Sequence, residues 1–299
     1  MKRILTIVLV IVVVALGAIG AFMYKIILGW PIYESKTPAL ALSVERKNII
    51  VFSKTNGYRH GSGIDGAKDF FQKLGEEKGW NILFSENGAL HTPVVLARTH
   101  LLIWNNVTGR VLLDEQRQAM QDYVEGGGSF IGLHGAGDFS HNWPWYEEML
   151  IGASFSHHTL NPQLQEATVY QEGGHPGSEN AWVTTEEWYM FYESPRKNNE
   201  ILWNLDESNI NPSGNLGFLI QDKDWGMGTD HPMIWRRNVG LGKSVYSAFG
   251  HNATIGSVFA IFPGAFSPDV GATQHHRAGA CRGSSGRVPT MPSWPSRSN

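Results

Sequence analysis

Histidines lie next to several of the short apolar runs in this sequence, and histidine suits both proton transfer and metal binding near neutral pH. His60 follows the first run, His134 the fourth and His251 the last, whereas His231 precedes a later one. Apolar runs that alternate with helical segments indicate a parallel sheet, and the loops after such strands meet at one edge. The sequence therefore predicts a histidine-rich site at the carboxyl ends of the strands.

The sharpest single motif is the run GLHGA at residues 132–136, directly after a predicted strand. It has the form of a nucleophile elbow, a strained and exposed turn, with His134 in the position of the nucleophile. The small neighbours let the backbone turn without a side-chain clash. We expect His134 to act as a general acid or base or to bind a metal; the alternative is a structural turn in which His134 caps a helix.

A carboxylate beside aromatic rings is a second candidate for proton transfer. Glu187 stands between Glu186 and the pair Trp188-Tyr189. Apolar surroundings raise the pKa of a carboxyl group, so we expect a raised pKa for Glu187 that suits it to proton transfer. The alternative is a side chain that points into water.

The overall composition indicates a globular protein with aromatic-lined surfaces. Of 299 residues, 42% are hydrophobic, 34 are glycine and 11 are tryptophan, and the net charge is −3. Disorder and coiled coil are excluded, and the absence of a basic run argues against a nucleic-acid partner. A single cysteine, Cys281, excludes an internal disulfide and a thiolate metal cluster. Candidate sugar-stacking platforms are Trp104, Trp143, Trp188 and Trp235, although core packing explains most tryptophans.

The periodicity of the chain predicts alternating strands and helices, hence an α/β fold with a parallel sheet. Predicted strands cover residues 48–53, 80–84, 100–104, 129–133, 164–170, 201–205, 233–237 and 244–249, and predicted helices cover residues 64–78 and 114–124.

The amino-terminal segment predicts a membrane helix. Residues 4–24 contain Thr6 as their only polar side chain, and 21 residues at ~1.5 Å each span about 31 Å. We expect an anchor that holds the globular part outside the cytoplasm, on the periplasmic or extracellular face. The alternative is a signal peptide cleaved after Ala18-Ile19-Gly20, followed by secretion. Residues 29–46 are expected to be a linker that acts as a tether, 47–253 the globular domain, and 254–299 an atypical, disordered tail.

Nine motifs, in this order, resemble those of ThuA-like (trehalose-utilisation) proteins, across about residues 47–253. They are Arg59-His60-Gly61-Ser62, Glu125-Gly126-Gly127-Gly128, Gly132-Leu133-His134, Trp143-Pro144, Phe155-Ser156-His157-His158, His175-Pro176, Glu186-Glu187-Trp188-Tyr189, Asp230-His231-Pro232 with Trp235, and Gly250-His251.

The resemblance implies a flavodoxin-like α/β sandwich similar to class I glutamine amidotransferases, with additional strands, and a role in sugar metabolism. It also implies that His134 and Glu187 share one cleft. Two departures keep the charge: Glu186-Glu187 stands where the family usually has Asp-Glu, and Gly242-Lys243 where it usually has Gly-Arg. Amidotransferase chemistry does not carry over, because the elbow lacks cysteine and Cys281 lies in the tail, so glutaminase activity is excluded.

Three classes of function follow. The first is a sugar-processing hydrolase or lyase with His134 and Glu187 as catalytic residues, acting on a trehalose-type or oxidised glycoside. The second is a metal-dependent hydrolase in which several of His60, His134, His158, His175 and Glu187 bind a divalent ion such as zinc, although the sequence has no H-E-x-x-H motif or comparably tight spacing. The third is a carbohydrate-binding protein without catalysis. Substrate-binding groups are expected among His60, Asp138, Tyr189, His231, Trp235 and His251.

Overall fold

The computed structural model describes residues 2–27, 29–214 and 223–252. The α-helices are α1 Lys2–Ile27, α2 Gly61–Lys78, α3 Pro93–Leu96 and α4 Asp114–Glu125, and a π-helical segment spans Trp145–Ile151. The strands are β1 Asn48–Phe52, β2 Asn81–Ser85, β3 Leu101–Asn105, β4 Ser129–Leu133, β5 Phe155–His158, β6 Gln165–Gln171, β7 Trp182–Glu186, β8 Tyr189–Phe191, β9 Glu200–Leu205, β10 Ser213–Gly214, β11 Lys223–Asp224, β12 Pro232–Val239 and β13 Gly242–Ser247.

A nine-stranded sheet in the order β2-β1-β3-β4-β13-β12-β9-β6-β7 forms the centre of the fold. The first five strands pair in parallel, and their order corresponds to that of flavodoxin-like sheets. β1 and β3 are buried at every position, as their apolar sequences require of strands covered on both faces. The predicted α/β class and parallel sheet are confirmed.

The remaining strands pair antiparallel to their neighbours and extend the sheet beyond β13. Pattern analysis misses β5, β7 and β8 and the two-residue strands β10 and β11. β7 is half polar with alternating exposure, and β5 ends in two histidines, so neither has the apolar run that marks a buried strand. β5 and β8 form a separate ribbon, which carries His158 and Tyr189 on directly opposed positions.

The amino-terminal helix α1 is long and apolar enough to cross a bilayer, as its sequence predicts. None of its candidate spanning window, Arg3–Lys25, is buried in the protein. A helix of a soluble core buries its apolar side chains, so α1 is not a core helix. It is an apolar amino-terminal helix of the kind that serves as an anchor or as a signal peptide.

The segment after α1 is not the free tether that its composition predicts, because it packs along the domain. Lys54 Nζ binds both carboxylate oxygens of Glu34 at 2.6 Å, and Gln116 Nε2 donates to the Glu34 carbonyl at 2.7 Å. Leu40 and Leu42 are partly buried against the core. The prediction of a free tether rests only on the prolines and polar residues of the segment, which do not reveal that these two leucines and the partner of Glu34, Lys54, fix it to the domain. The predicted tail at 254–299, with Cys281, lies outside the described residues.

Candidate functional site

Four side chains from distant parts of the chain meet at the carboxyl edge of the parallel strands. His60 follows β1, His134 follows β4 and His251 follows β13, so the parallel pairing brings all three to one edge. Glu187 stands between β7 and β8 and reaches the same place. One nitrogen of each histidine and one carboxylate oxygen of Glu187 all lie within 4.8 Å of one another. We call this group the His/Glu cluster.

The carboxylate of Glu187 is at the centre of the His/Glu cluster. Its Oε2 lies 3.0 Å from His134 Nε2, 3.1 Å from His251 Nδ1 and 3.8 Å from His60 Nε2. Its Oε1 accepts a hydrogen bond from Gln163 Nε2 at 2.5 Å and lies 3.2 Å from His158 Nδ1. Every oxygen of this buried carboxylate therefore faces nitrogen atoms.

The turn that carries His134 has the conformation predicted from its sequence, but it is not exposed. His134 has a φ of +45°, in the left-handed region that non-glycine residues seldom adopt, and its side chain is 0% exposed. Its Nδ1 contacts the carbonyl oxygen of Ala248 at 2.8 Å. A carbonyl only accepts, so Nδ1 carries the hydrogen, and Nε2 is the nitrogen aimed at Glu187.

The expectation of a raised pKa for Glu187 is wrong. Burial alone would raise the pKa of this carboxyl, but its interactions with the imidazoles of His134, His251 and His60 outweigh burial and lower the pKa far below its ordinary value. Glu187 is thus held as a carboxylate and is a poor proton donor. Burial lowers the pKa of His60 to about 4, so this imidazole is neutral at pH 7.

Two buried nitrogens in the cluster have no hydrogen-bond partner in the described part of the chain, His60 Nδ1 and His251 Nδ1. The second lies 3.1 Å from Glu187 Oε2 without the geometry of a hydrogen bond. Burial lowers the pKa of His251, but its interaction with Glu187 is stronger, and the net pKa is raised. Buried polar atoms in native proteins nearly always have partners, so these two nitrogens are available to a bound water molecule or ion.

Two further predicted residues lie beside the cluster. The ring of Tyr189 packs on that of His134 with centroids 4.1 Å apart. Asp138 ends the turn that begins at His134 and accepts hydrogen bonds from the backbone and hydroxyl of Ser140. Burial raises the pKa of Asp138 to about 7, with the Ser140 hydrogen bonds and the nearby His134 acting in the opposite direction.

Other predicted residues are not brought to the cluster. His231 is buried behind it, with Nε2 2.7 Å from the Tyr189 carbonyl and Nδ1 2.5 Å from Glu207 Oε1. Trp235 is a core residue that donates to the Ile151 carbonyl at 2.7 Å. His175 is exposed in a loop. The tryptophans predicted to stack on a sugar are Trp104, Trp143, Trp188 and Trp235. All are at most 9% exposed and pack in the core, so in this conformation none can stack on a bound sugar.

Sequence analysis misses Asn106, which joins two loops of the site. Its Nδ2 donates to the Gly250 carbonyl at 3.0 Å, next to His251, and its Oδ1 accepts from Gly135 N at 3.4 Å, next to His134. Asn106 is fully buried with a φ of +54°. Asparagine tolerates that backbone region, so the pair Asn105-Asn106 after a predicted strand is a usable signal.

Glu186 acts on the same loops from the other side. Its Oε1 accepts from the backbone of Glu187 at 3.0 Å and its Oε2 from Gly250 N at 3.1 Å. Gln163, also missed by the sequence analysis, orients the other oxygen of Glu187. His134, Glu187 and the backbone at Gly250, next to His251, are therefore positioned by a surrounding set of hydrogen bonds.

Comparisons with known proteins identify similar chains. The protein-family model described as ThuA, trehalose utilisation, matches residues 48–257. A ThuA-like protein from Bacteroides uniformis has a similar solved structure, with TM-score 0.56, 25% identity, and coverage of 76% of this chain and 88% of that one. A ThuA-like protein from Parabacteroides merdae gives TM-score 0.49 and 15% identity, over 69% of this chain and 80% of that one. No curated protein matches the sequence.

Proposed function

This chain belongs to the ThuA family, whose members are grouped under trehalose utilisation, and we propose that it is a metal-dependent enzyme acting on a carbohydrate. The observation that carries the proposal is the His/Glu cluster: three imidazole nitrogens around one buried carboxylate oxygen.

The donor set suits a divalent cation such as zinc. Imidazole nitrogens and a carboxylate oxygen are typical zinc ligands, and catalytic sites typically use three protein ligands and keep a position for water or substrate. Two ligands bound at ~2.0–2.1 Å to a tetrahedral ion lie about 3.3–3.4 Å apart. The separations of 3.0, 3.1 and 3.8 Å from Glu187 Oε2 to the three nitrogens bracket that value. His134 donates its other nitrogen to a carbonyl, which is the usual arrangement behind a metal-bound imidazole.

The residues of the site have separate tasks in this proposal. His60, His134 and His251 supply imidazole ligands, and Glu187 supplies the negative charge that a buried cation needs. A bound divalent cation would polarise a sugar hydroxyl or carbonyl oxygen as a Lewis acid. Asp138 has a pKa near neutrality, so it can give or accept a proton at the edge of the site.

This assignment changes the roles of His134 and Glu187 from proton carriers to ligands. His134 has both ring nitrogens engaged, and Glu187 is held as a carboxylate. Neither is free to exchange a proton with a substrate.

The test is elemental analysis of the purified protein together with turnover on a panel of disaccharides and keto-sugars, before and after chelation. We expect about one divalent metal per chain, activity that chelation removes and zinc or another divalent ion restores, and loss of both metal and activity in Glu187→Gln. The matched control is His175→Ala, which alters an exposed histidine outside the cluster. A metal-free protein with undiminished turnover would sink the proposal, and a metal-loaded protein that binds sugars without turnover would make it a carbohydrate-binding protein.

We further propose that α1 is retained as an anchor, with the domain outside the cytoplasm. The support is the fully exposed apolar surface of Arg3–Lys25. Membrane fractionation with mass spectrometry tests it, because a soluble protein whose amino terminus lies near Ala21 would show that α1 is a cleaved signal peptide.

A further inference from the structure

The chain leaves α1 directly onto the loop that leads to the site. Gly29 packs so closely on this loop that a Cβ there would lie 2.6 Å from the carbonyl carbon of Asn56. The Trp30 amide donates to the Asn56 carbonyl at 3.1 Å. Asn56 and Gly57 follow β1, and His60 of the His/Glu cluster is only three residues after Gly57. The helix therefore joins the domain at the edge of the sheet that carries the site.

Side-chain hydrogen bonds hold the segment after α1 to the domain. Lys54 Nζ donates to the Ile32 carbonyl at 2.7 Å, and Asn56 Nδ2 donates to the same oxygen at 3.0 Å. Glu34 then pairs with Lys54, whose side chain is 7% exposed. With contacts at Gly29, Trp30, Ile32 and Glu34, there is little free chain between the helix and the domain.

Exposed apolar side chains surround this junction. Trp30 is 43% exposed, Ile32 61% and Tyr58 45%, and we call these three the interfacial patch. The ring of Trp30 lies 5.5 Å from that of Tyr24, near the end of α1. Tryptophan and tyrosine collect where a membrane meets water, because their rings are amphipathic. The ring of Tyr58 in turn lies 4.8 Å from that of His60.

Chain lengths set the height of the patch above a bilayer. The candidate span ends at Lys25, and four residues to Gly29 reach at most ~14 Å when fully extended. The headgroup layer on each side of the hydrocarbon core is about 5–8 Å thick. Three residues from Gly57 to His60 add at most ~11 Å. Gly29 is thus at most ~14 Å and His60 at most ~25 Å from the end of the hydrocarbon core, so the patch lies near the headgroups and the site edge lies on the side of the domain that faces them.

We propose that the interfacial patch lies in the headgroup region of a lipid bilayer and that the edge of the sheet carrying the His/Glu cluster faces the membrane surface. The occupant of the patch is the lipid surface, because the one helix of the described residues that is able to cross a membrane ends there. The proposal rests on the proposed retention of α1 as an anchor.

The test uses the full chain in vesicles of phosphatidylcholine and phosphatidylglycerol. Cys281→Ser removes the native thiol, and single cysteines are then introduced by Ile32→Cys, Val44→Cys or Leu241→Cys and labelled with a polarity-sensitive fluorophore. Val44 and Leu241 are 90% and 81% exposed, and they precede β1 and β13, at the opposite edge of the sheet. All three sites are exposed and apolar, so they are matched controls for labelling.

We expect lipids that carry a spin label on the headgroup to quench the fluorophore at position 32 and to leave those at positions 44 and 241 unchanged. Equal quenching at all three positions, or none at position 32, in protein that floats with the vesicles would overturn the proposed orientation. Protein that does not float with the vesicles would overturn the anchor itself. The two failures are therefore distinguishable, and neither depends on the metal or on sugar turnover.

Discussion

Two buried histidines of this protein show how the same residue is used for structure and for chemistry. His91 and His134 both contact a backbone carbonyl through Nδ1, at 2.9 Å from Gly88 and 2.8 Å from Ala248. The Nε2 of His91 accepts a hydrogen bond from Trp104 Nε1 at 3.1 Å. The Nε2 of His134 instead faces a carboxylate oxygen at 3.0 Å. The nature of the second partner, a donor or an anion, separates the two roles.

The difference follows from what an imidazole can do once one nitrogen has donated its hydrogen. In His91 the other nitrogen is an acceptor that meets a donor, so the neutral ring is complete and no further group is needed. In His134 the remaining nitrogen and the Glu187 oxygen are both electron-rich, so they favour a cation between them. Burial is equal in the two cases and does not by itself identify a functional histidine.

The largest expected effect comes from the matched substitutions His134→Gln and His91→Gln. His134→Gln should lower metal affinity and turnover by more than about 100-fold, since loss of supporting groups alone costs ~10–100-fold. His91→Gln should keep both, because glutamine is able to accept from Trp104 and donate to Gly88. Metal titration and steady-state kinetics measure the contrast. Equal losses in the two variants would remove the distinction between these histidines.

Acid should reveal the structural histidine through stability. Burial lowers the pKa of His91 to about 4 from an ordinary 6.5, despite its hydrogen bond to Gly88. The folded state therefore resists protonation: the contribution is complete above pH ~6.5 and is lost as the pH falls toward 4, to a total of about 3 kcal/mol. As the pH falls from 7 to 4, the free energy of unfolding of the chelated wild type, measured by urea denaturation, should decrease more than that of His91→Gln. The two curves of stability against pH should therefore approach each other near pH 4. Parallel curves would contradict the assignment.

Asn106→Gly should weaken metal binding without removing a ligand. Glycine keeps the left-handed backbone while the bonds to Gly135 and Gly250 are lost, and such supporting groups contribute ~10–100-fold to affinity. Asn142→Gly is the matched control, because Asn142 has a similar φ of +48° but is exposed. Calorimetric titration with zinc compares them, and an unchanged affinity in Asn106→Gly would show that this residue does not position the cluster.

The smallest effect is expected for His175→Ala. His175 is exposed and contacts the turn at Gly177 and Ser178, away from the cluster. Surface changes of this kind alter stability by no more than about 0.5 kcal/mol, and metal content and turnover should be unchanged. Chemical denaturation and metal analysis check this, and a loss of metal would mean that a ligand had been overlooked.

The sequence predicts the fold of this protein better than the contacts within its site. The buried runs of β1, β3 and β4 and the small residues around His134 report their local structure directly, and the left-handed turn at His134 follows from them. The partners of a side chain are set by residues far along the chain, as with Ala248 and Glu187 around His134. That is why His231 and the four candidate tryptophans are plausible site residues in the sequence and yet lie buried in the core.

The pKa of Glu187 illustrates the same point. Aromatic neighbours in the sequence suggest a raised value, but His134, His251 and His60 come from three other strand ends and reverse the direction. The sequence identifies the carboxylate, but its charge state depends on contacts that only the fold brings together.

The most direct measurement of the central claim is the anomalous scattering of a zinc-soaked crystal of the intact chain. The metal-centre account predicts one strong peak about 2.0–2.2 Å from His60 Nε2, His134 Nε2, His251 Nδ1 and an oxygen of Glu187. The account would be contradicted by a crystal in which zinc occupies other sites but gives no peak among these atoms, and in which the Glu187 carboxylate is hydrogen-bonded directly to protonated imidazoles.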